Sequence, residues 1–387
     1  MPTPLTPLYI DSPDTLRQFS ESIRGARWLA LDTEFLRERT YFPKFCLLQI
    51  AAENTAACID PLALDSLRPL LEVIYDPTIT KVFHSGRQDL EIFYHLCGKL
   101  PAPVFDTQIA APLLGLAEQI SYAGLVTDLL GVNLNKAHTR ADWSRRPLSP
   151  EQLRYAADDV IYLGEAYQMI LRRLDKLGRL EWLQNDFAEL IDCRHYENSA
   201  EQAWQRISGA HQLKGRQLSV LQALAGWREQ AARTQDLPRG WLLKDEVMLD
   251  LARQQPTHTD ALAAVRGMDD RTVKRHGKTL CQLILESQNR EPEPTAFKPR
   301  PGRKTAEQEA LLDILMAVVR LRAAHNTLNP ATLANRKDLE QLLDHAEDAR
   351  LLQGWRRKMV GEELAAMLGG ELSLTIAGGN LLVCPRA

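Results

Sequence analysis

The sequence predicts a first domain of α/β or α+β class, followed by two all-helical domains. Short apolar runs rich in strand formers alternate with helix-like segments in the first half of the chain, and the strand signal disappears after about residue 200 until the last few residues. A chain of 387 residues has room for two or three domains that each bury a core. We therefore expect domains at residues 1–196, 205–290 and 304–370.

Four strands are predicted in the first domain, each as a short apolar run bounded by polar turns. They are "ARWLALDTEF", "FCLLQIAAE", "TAACIDP" and "ITKVFHS", and the amphipathic "SLRPLLEVIY" precedes the last of them. From Asp106 onward, the apolar residues have the spacing that is typical of helices. A helix is predicted over Ser149–Leu174, because Ser149 suits an N-cap, Pro150 suits the first helical position and Gln152 closes a capping box.

The helical half divides into two blocks on either side of "SQNREPEPTAFKPRPGRK", whose composition is typical of an extended linker. The chain then closes with "ELSLTIAGGNLLVCPRA". This stretch fits either a hairpin that turns at Gly378, Gly379 and Asn380 or a loose tail, and the sequence leaves both open.

Composition excludes several classes of protein. Hydrophobic residues make up 45% and charged residues 25% of the chain, and no apolar run approaches the roughly 18 residues of a membrane span. The first residues lack the basic and apolar regions of a secretory leader, and the six cysteines form no CxxC pair, which argues against a zinc site or a disulfide framework. We therefore expect a cytoplasmic protein with no membrane partner, and no obligate protein partner is evident.

The net charge of the chain does not indicate a nucleic-acid partner. A net charge of -3 results from 47 basic and 50 acidic residues, so any basic surface must be local. The candidate stretches are "RRP" at Arg145, "RTVKRHGK" from Arg271, "FKPRPGRK" from Phe297 and "GWRRK" ending at Lys358. Each of these stretches alone is more typical of a solvated face than of a binding site.

Two acids interrupt the first predicted strand. Asp32 and Glu34 share one face of that strand because side chains alternate, and their Cα atoms should lie about 7 Å apart. Two ionised carboxylates about 5 Å apart repel by roughly 3 kcal/mol at an effective dielectric of about 20. A shared proton, a basic neighbour or a divalent cation would each offset this repulsion.

Further acids stand at the ends of predicted elements. Asp89 follows a strand, on the first turn of the next helix, where it is either a site residue or a surface acid. Asp106 is explained as a helix N-cap and is left out of the site. Tyr155 and Asp159 lie four residues apart and therefore on one face of a predicted helix, where they are either site residues or a simple hydrogen-bonded pair. Asp158 points about 100° away from that face and is expected to be solvated.

Taken together, these stretches resemble a known family. "LALDTEF", "FHSGRQDLEIF" with "FDTQIAA", and "YAADDVIYL" are similar to the three motifs of the DEDD exonuclease superfamily, in the tyrosine subclass that includes the ribonuclease D family. "LKGRQLSVLQALAGWREQAARTQDLPRGWLLKDEVMLDLARQQP" resembles the helicase-and-RNase-D C-terminal (HRDC) domain, and Thr305–Leu368 resembles a second, more divergent copy. The resemblance implies a ribonuclease H-like α/β exonuclease domain with a mixed sheet, followed by two all-α HRDC-like domains.

The resemblance also implies a site and a chemistry. Its motifs fall on one set of catalytic residues, which are Asp32, Glu34, Asp89, Tyr155 and Asp159. Carboxylates are the ligands of hard cations, and no Cys/His cluster offers a zinc alternative, so the four acids would hold two divalent cations, Mg²⁺ or Mn²⁺. Asp32 would bridge both ions, Glu34 and Asp159 would complete the site that holds the attacking water, and Asp89 would serve the other ion. Tyr155 would orient this water, since a phenol with a pKa near 10 is a poor base at neutral pH.

The implied reaction removes nucleoside 5′-monophosphates one at a time from RNA 3′ ends, with tRNA precursors and other small structured RNAs as substrates. Candidate RNA contacts are Phe35 and His84, which are otherwise a core phenylalanine and a strand-ending histidine, and the basic group Lys274, Arg275 and Lys278. Two alternatives are kept. One is a 3′-5′ exonuclease that acts on DNA, and the other is an RNA-binding adaptor that has lost catalysis.

Overall fold

The protein is described from a computed structural model, which covers residues 6–134, 141–293, 304–346 and 348–386. The described residues form two compact units. The first unit comprises the described parts of Met1–Glu34, Phe45–Asp192 and Pro301–Ala387, and the second those of Phe35–Lys44 and Cys193–Arg300. Most of the predicted linker, including the basic stretch from Phe297 up to residue 303, lies outside the described residues.

A six-stranded mixed sheet organises the first unit. Its strands are β1 (Leu8–Ile10), β2 (Trp28–Leu36), β3 (Lys44–Ala52), β4 (Thr55–Ile59), β5 (Thr80–Phe83) and β6 (Val104–Asp106). Their order across the sheet is β1-β4-β3-β2-β5-β6, with β3 and β4 antiparallel and the pairs β1/β4, β2/β5 and β5/β6 parallel. The four predicted strands are β2 to β5. The sequence reading missed β1 and β6, which have three residues each and are too short to show an alternating pattern.

Seven helices accompany this sheet. They are α1 (Pro13–Ser22), α2 (Arg68–Ile74), α3 (Arg87–Cys97), α4 (Thr107–Ala110), α5 (Tyr122–Leu130), α6 (Pro150–Lys176) and α7 (Gln184–Leu190). The long helix α6 starts as predicted, because the Ser149 side chain accepts from the Gln152 backbone N–H and the Gln152 side chain accepts from the Ser149 backbone N–H. Its buried face, with Val160 and Leu163 at its centre, belongs to the core beside the sheet.

The last helical block also belongs to the first unit. It contains α13 (Ala306–His325), α14 (Pro330–Leu333), α15 (Arg336–Leu343), α16 (Gly354–Arg356) and α17 (Glu362–Leu368). The Trp355 ring stacks on the Trp182 ring with centroids 4.6 Å apart, and the Arg179 guanidinium donates to the carbonyls of Leu113 and Asn326. The block expected at 304–370 therefore shares a core with the residues of the α/β domain.

The chain closes with a β-hairpin, so one of the two alternatives left by the sequence is found. Strand β7 (Leu372–Ala377) pairs antiparallel with β8 (Asn380–Pro385), and Ala377 faces Asn380 across the turn. Gly378 and Gly379 have φ values of 58° and 79°, which a two-residue turn of type I′ requires and which glycine adopts without strain.

The second unit is helical. Its helices are α8 (Gly215–Gln235), α9 (Arg239–Leu242), α10 (Asp245–Gln254), α11 (Thr259–Ala263) and α12 (Asp270–Ser287). The unit also takes in the segment that follows Glu34, where Tyr41 packs with Ala232 and Leu242. Among the described residues, no helix of either unit is both long and apolar enough to cross a membrane.

A buried charged group holds Tyr41 in the second unit. The Tyr41 hydroxyl donates to Glu229, and the Arg239 guanidinium donates to both Glu229 oxygens over 2.5 and 2.7 Å while lying 4.7 Å from the Tyr41 ring centre. The Asp236 carboxylate accepts from the backbone N–H groups of Tyr41 and Phe42 at 3.0 and 3.1 Å. Both the side chain and the backbone of this segment are thus fixed to α8 and α9.

Candidate active site

Three carboxylates converge on one point of the first unit. Asp32 and Glu34 extend from β2, and Asp159 extends from α6. One oxygen from each lies within 4.8 Å of an oxygen of the other two. The same-face arrangement predicted for Asp32 and Glu34 follows from the alternation of β2, and the packing of α6 adds the third acid.

Asp89 lies beside this cluster and is held by a neighbour. It sits on the first turn of α3, it is 8% exposed, and its Oδ1 accepts from the Thr33 hydroxyl over 2.5 Å. Its negative charge contributes to the raised pKa of both Asp32 and Glu34. Asp89 is therefore a buried acid of the same site, and the alternative of a surface acid does not describe it.

Burial shapes the electrostatics of all four acids. Desolvation, with the charges of the neighbouring acids, raises the pKa of Asp32 well above its ordinary value and that of Glu34 to about 8. Burial raises the pKa of Asp159 to about 7, helped by Asp158. Burial also raises the pKa of Asp89 to about 6, although the hydrogen bond from Thr33 opposes this shift. The four carboxyl groups thus resist carrying their charges together.

The described residues supply no basic side chain to neutralise the cluster. No Lys or Arg among them forms an ion pair with Asp32, Glu34 or Asp159. Half-buried carboxylate oxygens that converge in this way, with no ion-paired Lys or Arg in the described part of the chain, suit hard divalent ions. The donor set therefore fits the cations that the sequence analysis expected.

The cluster opens into a cavity of about 460 Å³. Its lining residues are Asp32, Thr33, Glu34, His84, Ser121, Tyr122, Ala123, Leu134, Tyr155, Asp159 and Leu163. Tyr155 and Asp159 also line a second cavity of about 390 Å³, together with Leu134, Pro150, Glu151, Arg154 and Asp158. Tyr155, one helical turn from Asp159, thus lies where the two cavities meet.

The sequence analysis missed Tyr122. Its hydroxyl donates to the Asp158 carbonyl over 2.9 Å, and its ring centre lies 5.6 Å from that of His84. Burial, with the charges of Asp159 and Asp32, raises its pKa well above the ordinary value. The one available signal was Ser121, an N-cap that places Tyr122 at the start of α5.

His84 has both ring nitrogens engaged. Nδ1 lies 2.9 Å from the Thr107 hydroxyl, and Nε2 lies 3.0 Å from the Ile120 carbonyl. Burial lowers the pKa of His84, so the neutral ring is favoured. His84 therefore ties the end of β5 to the residues around α4 and α5 while its ring faces the cavity.

The remaining candidates divide between structural and exposed positions. Asp106 caps α4 by accepting from the Gln108 backbone N–H, as expected. Asp158 is less solvated than expected, because its side chain is 26% exposed and pairs with Arg154 over 3.0 Å. Phe35 is half-buried in β2. The basic group is exposed on α12 and consists of Lys274, Arg275 and Lys278.

Two family models match parts of this chain, and curated relatives match nearly all of it. The family model described as 3'-5' exonuclease matches residues 7–175, and the HRDC domain model matches residues 217–284. Ribonuclease D of Gluconacetobacter diazotrophicus is 37% identical over 98% of this chain and 97% of its own length. Ribonuclease D of Sphingobium indicum is 40% identical over 97% of both chains.

A solved structure extends the likeness to the fold. Escherichia coli RNase D, described as an exoribonuclease involved in structured RNA processing, matches with a TM-score of 0.81 and 31% identity over 95% of this chain and 99% of its own. The predicted fold class, a mixed-sheet exonuclease domain followed by helical HRDC-type structure, is confirmed. The chain belongs to the ribonuclease D family of 3′-5′ exoribonucleases.

Proposed function

We propose that this chain uses two divalent cations, Mg²⁺ or Mn²⁺, to release nucleoside 5′-monophosphates from RNA 3′ ends, and that it acts in the 3′ maturation of tRNA precursors and other small structured RNAs. The observation that carries the proposal is the convergence of Asp32, Glu34 and Asp159, with Asp89 beside them, in a cavity where no Lys or Arg of the described residues forms an ion pair with the three converging acids. The involvement of the E. coli relative in structured RNA processing supports the choice of substrate.

In this proposal, Asp32, Glu34, Asp89 and Asp159 hold the cations. Such ions, when bound, stabilise the attacking and leaving oxygens at phosphorus and favour in-line displacement. The protein contributes fixed ligands, because strand alternation orients two of the acids and the long helix α6 presents a third. Tyr155, one turn before Asp159, donates a hydrogen bond that orients the attacking water.

Substrate contacts would come from two places. Phe35 and the ring of His84 are the candidates for contact with the terminal nucleotides, although the nitrogens of His84 are already engaged. Lys274, Arg275 and Lys278 lie exposed on α12, where they can contact phosphates without reading sequence. We propose that these cations add affinity and take no part in chemistry.

The test is a nuclease assay on RNA labelled at its 5′ end, with and without added Mg²⁺ or Mn²⁺. We expect stepwise shortening from the 3′ end, mononucleotide products, and a loss of at least about 100-fold in kcat for Asp32→Asn. The matched control is Asp128→Asn, which alters an exposed acid on α5 and should leave kcat unchanged. A tRNA precursor with a 3′ extension should be shortened and then resist further digestion.

Three results would contradict parts of this proposal. Activity retained in Asp32→Asn would overturn the site. Equal turnover of matched DNA and RNA oligomers would favour the DNA exonuclease alternative. Binding of RNA without metal-dependent release of mononucleotides would favour the adaptor.

A further inference from the structure

Trp143 lies against Tyr155 in the first unit. The two ring centres are 6.2 Å apart and the ring planes differ by 29°, an offset stacked arrangement. Trp143 is 2% exposed, and its indole N–H has no acceptor among the described residues. A buried donor without an acceptor destabilises the fold. What Trp143 contributes is therefore its flat ring and not a hydrogen bond.

Arg146 fixes the backbone that carries this ring. Its guanidinium donates to the Trp143 carbonyl over 2.8 Å, to the two Asp60 oxygens over 2.5 and 2.7 Å, and to the Cys46 carbonyl over 2.7 Å. Asp60 is buried just after β4, and the Tyr9 hydroxyl also donates to it over 2.6 Å. The turn that contains Trp143 is thus tied to β3, to β4 and to the end of β1.

The helix that carries Tyr155 is tied to the same sheet. Helix α6 begins four residues after Arg146, with its start fixed by the Ser149 capping box. The Cys58 thiol of β4 donates to the Leu153 carbonyl over 3.6 Å. The backbone segments that carry the two stacked rings are therefore both hydrogen-bonded to the same sheet.

We propose that Trp143 is a positioning residue for the exonuclease reaction, which holds the Tyr155 ring so that its hydroxyl stays in the cavity that Asp159 also lines, with Arg146 and Asp60 holding Trp143. A tyrosine side chain moves about two torsions, and a flat partner on one ring face restricts both. This inference rests on the proposed role of Tyr155, which the experiment below tests in parallel.

The first experiment compares kcat and KM on a 5′-labelled, unstructured RNA oligomer in the presence of Mg²⁺. Trp143→Leu, which removes the ring, should lower kcat by about 10- to 100-fold with KM within about two-fold, because the catalytic hydroxyl loses its position. Trp143→Phe keeps a stacking ring and drops the unpaired N–H, so its kcat should lie within about three-fold of the parent. If Trp143→Leu does not fold, Trp143→Met fills more of the space without a ring.

Trp355→Leu is the matched control. Trp355 is also buried, and its indole N–H also lacks an acceptor in the part of the chain that the structure describes, but it lies in the last helical block and stacks on Trp182. Its replacement should lower the thermal unfolding midpoint and leave kcat within about two-fold. Equal losses of kcat in the two variants would show that Trp143 acts through general stability, which would overturn the proposal.

A double-mutant cycle decides whether Trp143 acts through Tyr155. In a Tyr155→Phe background, Trp143→Leu should lower kcat by less than about two-fold further, since the hydroxyl that it positions is gone. A full additional loss in that background would overturn the inference and leave the role of Tyr155 intact. A Tyr155→Phe variant with unchanged kcat would instead overturn the role of Tyr155, and this inference with it.

Discussion

At the scale of single residues, Lys81 shows how the fold satisfies a buried charge. It lies in β5 with no exposed surface, and its ammonium donates to the carbonyls of Asp76, Ile79 and Ala102. These three carbonyls use all three of its N–H donors, so the charge is hydrogen-bonded to backbone and not ion-paired. Burial nevertheless lowers the pKa of Lys81 to about 8.

This lowered pKa predicts a rise of stability with pH. The unfolded chain binds a proton at Lys81 up to about pH 10.5, whereas the folded chain releases it near pH 8. Between these values the unfolded state holds more protons, so the free energy of unfolding should increase with pH, by at most about 3 kcal/mol from this residue. Lys81→Met should lack this component.

The measurement is urea unfolding of both proteins at about pH 7.5, below the window that linkage predicts, and at about pH 9.5, inside it. Tyrosines and cysteines that ionise in the same range are common to both proteins and cancel in the difference. The parent should gain stability relative to Lys81→Met as the pH rises. Parallel pH profiles would contradict the prediction.

Individual site residues differ in how far the sequence could predict them. The shared face of Asp32 and Glu34 follows from strand periodicity, because both residues lie on one element. The hydrogen bond from Thr33 to Asp89 joins residues 56 positions apart in the chain, and the stacking of Trp143 on Tyr155 joins a turn to the helix that follows it. Local spacing carries no information about such contacts, since tertiary packing decides them.

At the scale of elements, α6 meets β2 through a glycine. A Cβ atom at Gly164 would lie 2.4 Å from a ring atom of Trp28, which is buried in β2. Strand β2 carries Asp32 and Glu34, and α6 carries Asp159, so this close contact sets the spacing between the two halves of the carboxylate cluster.

Gly164→Ala should therefore lower both stability and activity. Alanine would gain about 1 kcal/mol of helix propensity, but overpacking against a buried ring costs about 1–3 kcal/mol. We expect a lower urea midpoint and a loss of about 10-fold or more in kcat, because the acids move apart.

Gly240→Ala is the control for this change. It also replaces a helical glycine, on α9, where a Cβ would have nothing within 4 Å. Its stability should equal or exceed that of the parent, and its kcat should be unchanged. A Gly164→Ala protein that behaved like this control would show that the contact with Trp28 does not set the site.

Long helices and strands with clear capping residues were easier to predict from the sequence than short ones. Helix α6 has 27 residues and a capping box, and its start was located to the residue. The C-terminal hairpin was left open because an isolated two-stranded hairpin is marginally stable and these strands bury little, although β7 alternates apolar and polar residues and Gly378 and Gly379 favour a turn. Three-residue strands such as β6 have no pattern to read.

At the scale of the whole molecule, the chain leaves the first unit immediately after Glu34 and returns to it after Lys44. Glu229 holds the intervening segment in the second unit, through Tyr41 and Arg239, and is 1% exposed. Burial alone would raise the pKa of Glu229, but the hydrogen bonds from Arg239 and Tyr41 outweigh it and lower the pKa.

Glu229→Gln should destabilise the second unit by about 1–3 kcal/mol, because the half-buried Arg239 loses its charged hydrogen-bond partner. The folded-state pKa lies below the unfolded value, so this stabilisation is present above about pH 4.5 and disappears as the pH falls below it. Unfolding followed at neutral pH and at about pH 3.5 should show a larger difference from the parent at neutral pH than at about pH 3.5. Tyr41→Phe, which keeps the ring, should have a smaller effect.

The predicted three-domain division, 1–196, 205–290 and 304–370, could not anticipate this arrangement. Composition marks where linkers lie, and it therefore separates blocks along the chain. It does not reveal that a short stretch after Glu34 packs with α8 and α9, or that Trp355 shares a core with Trp182. Both facts depend on side chains that look like ordinary aromatic core residues in sequence.

The excursion between Glu34 and Phe45 limits how freely this enzyme can be rebuilt. An engineer who replaced residues after 192 with a different module would remove the packing partners of Tyr41 and Phe42 and leave an unsupported loop that starts directly after Glu34. A functional exchange of the HRDC module therefore requires that the loop between Glu34 and Phe45 be exchanged together with it.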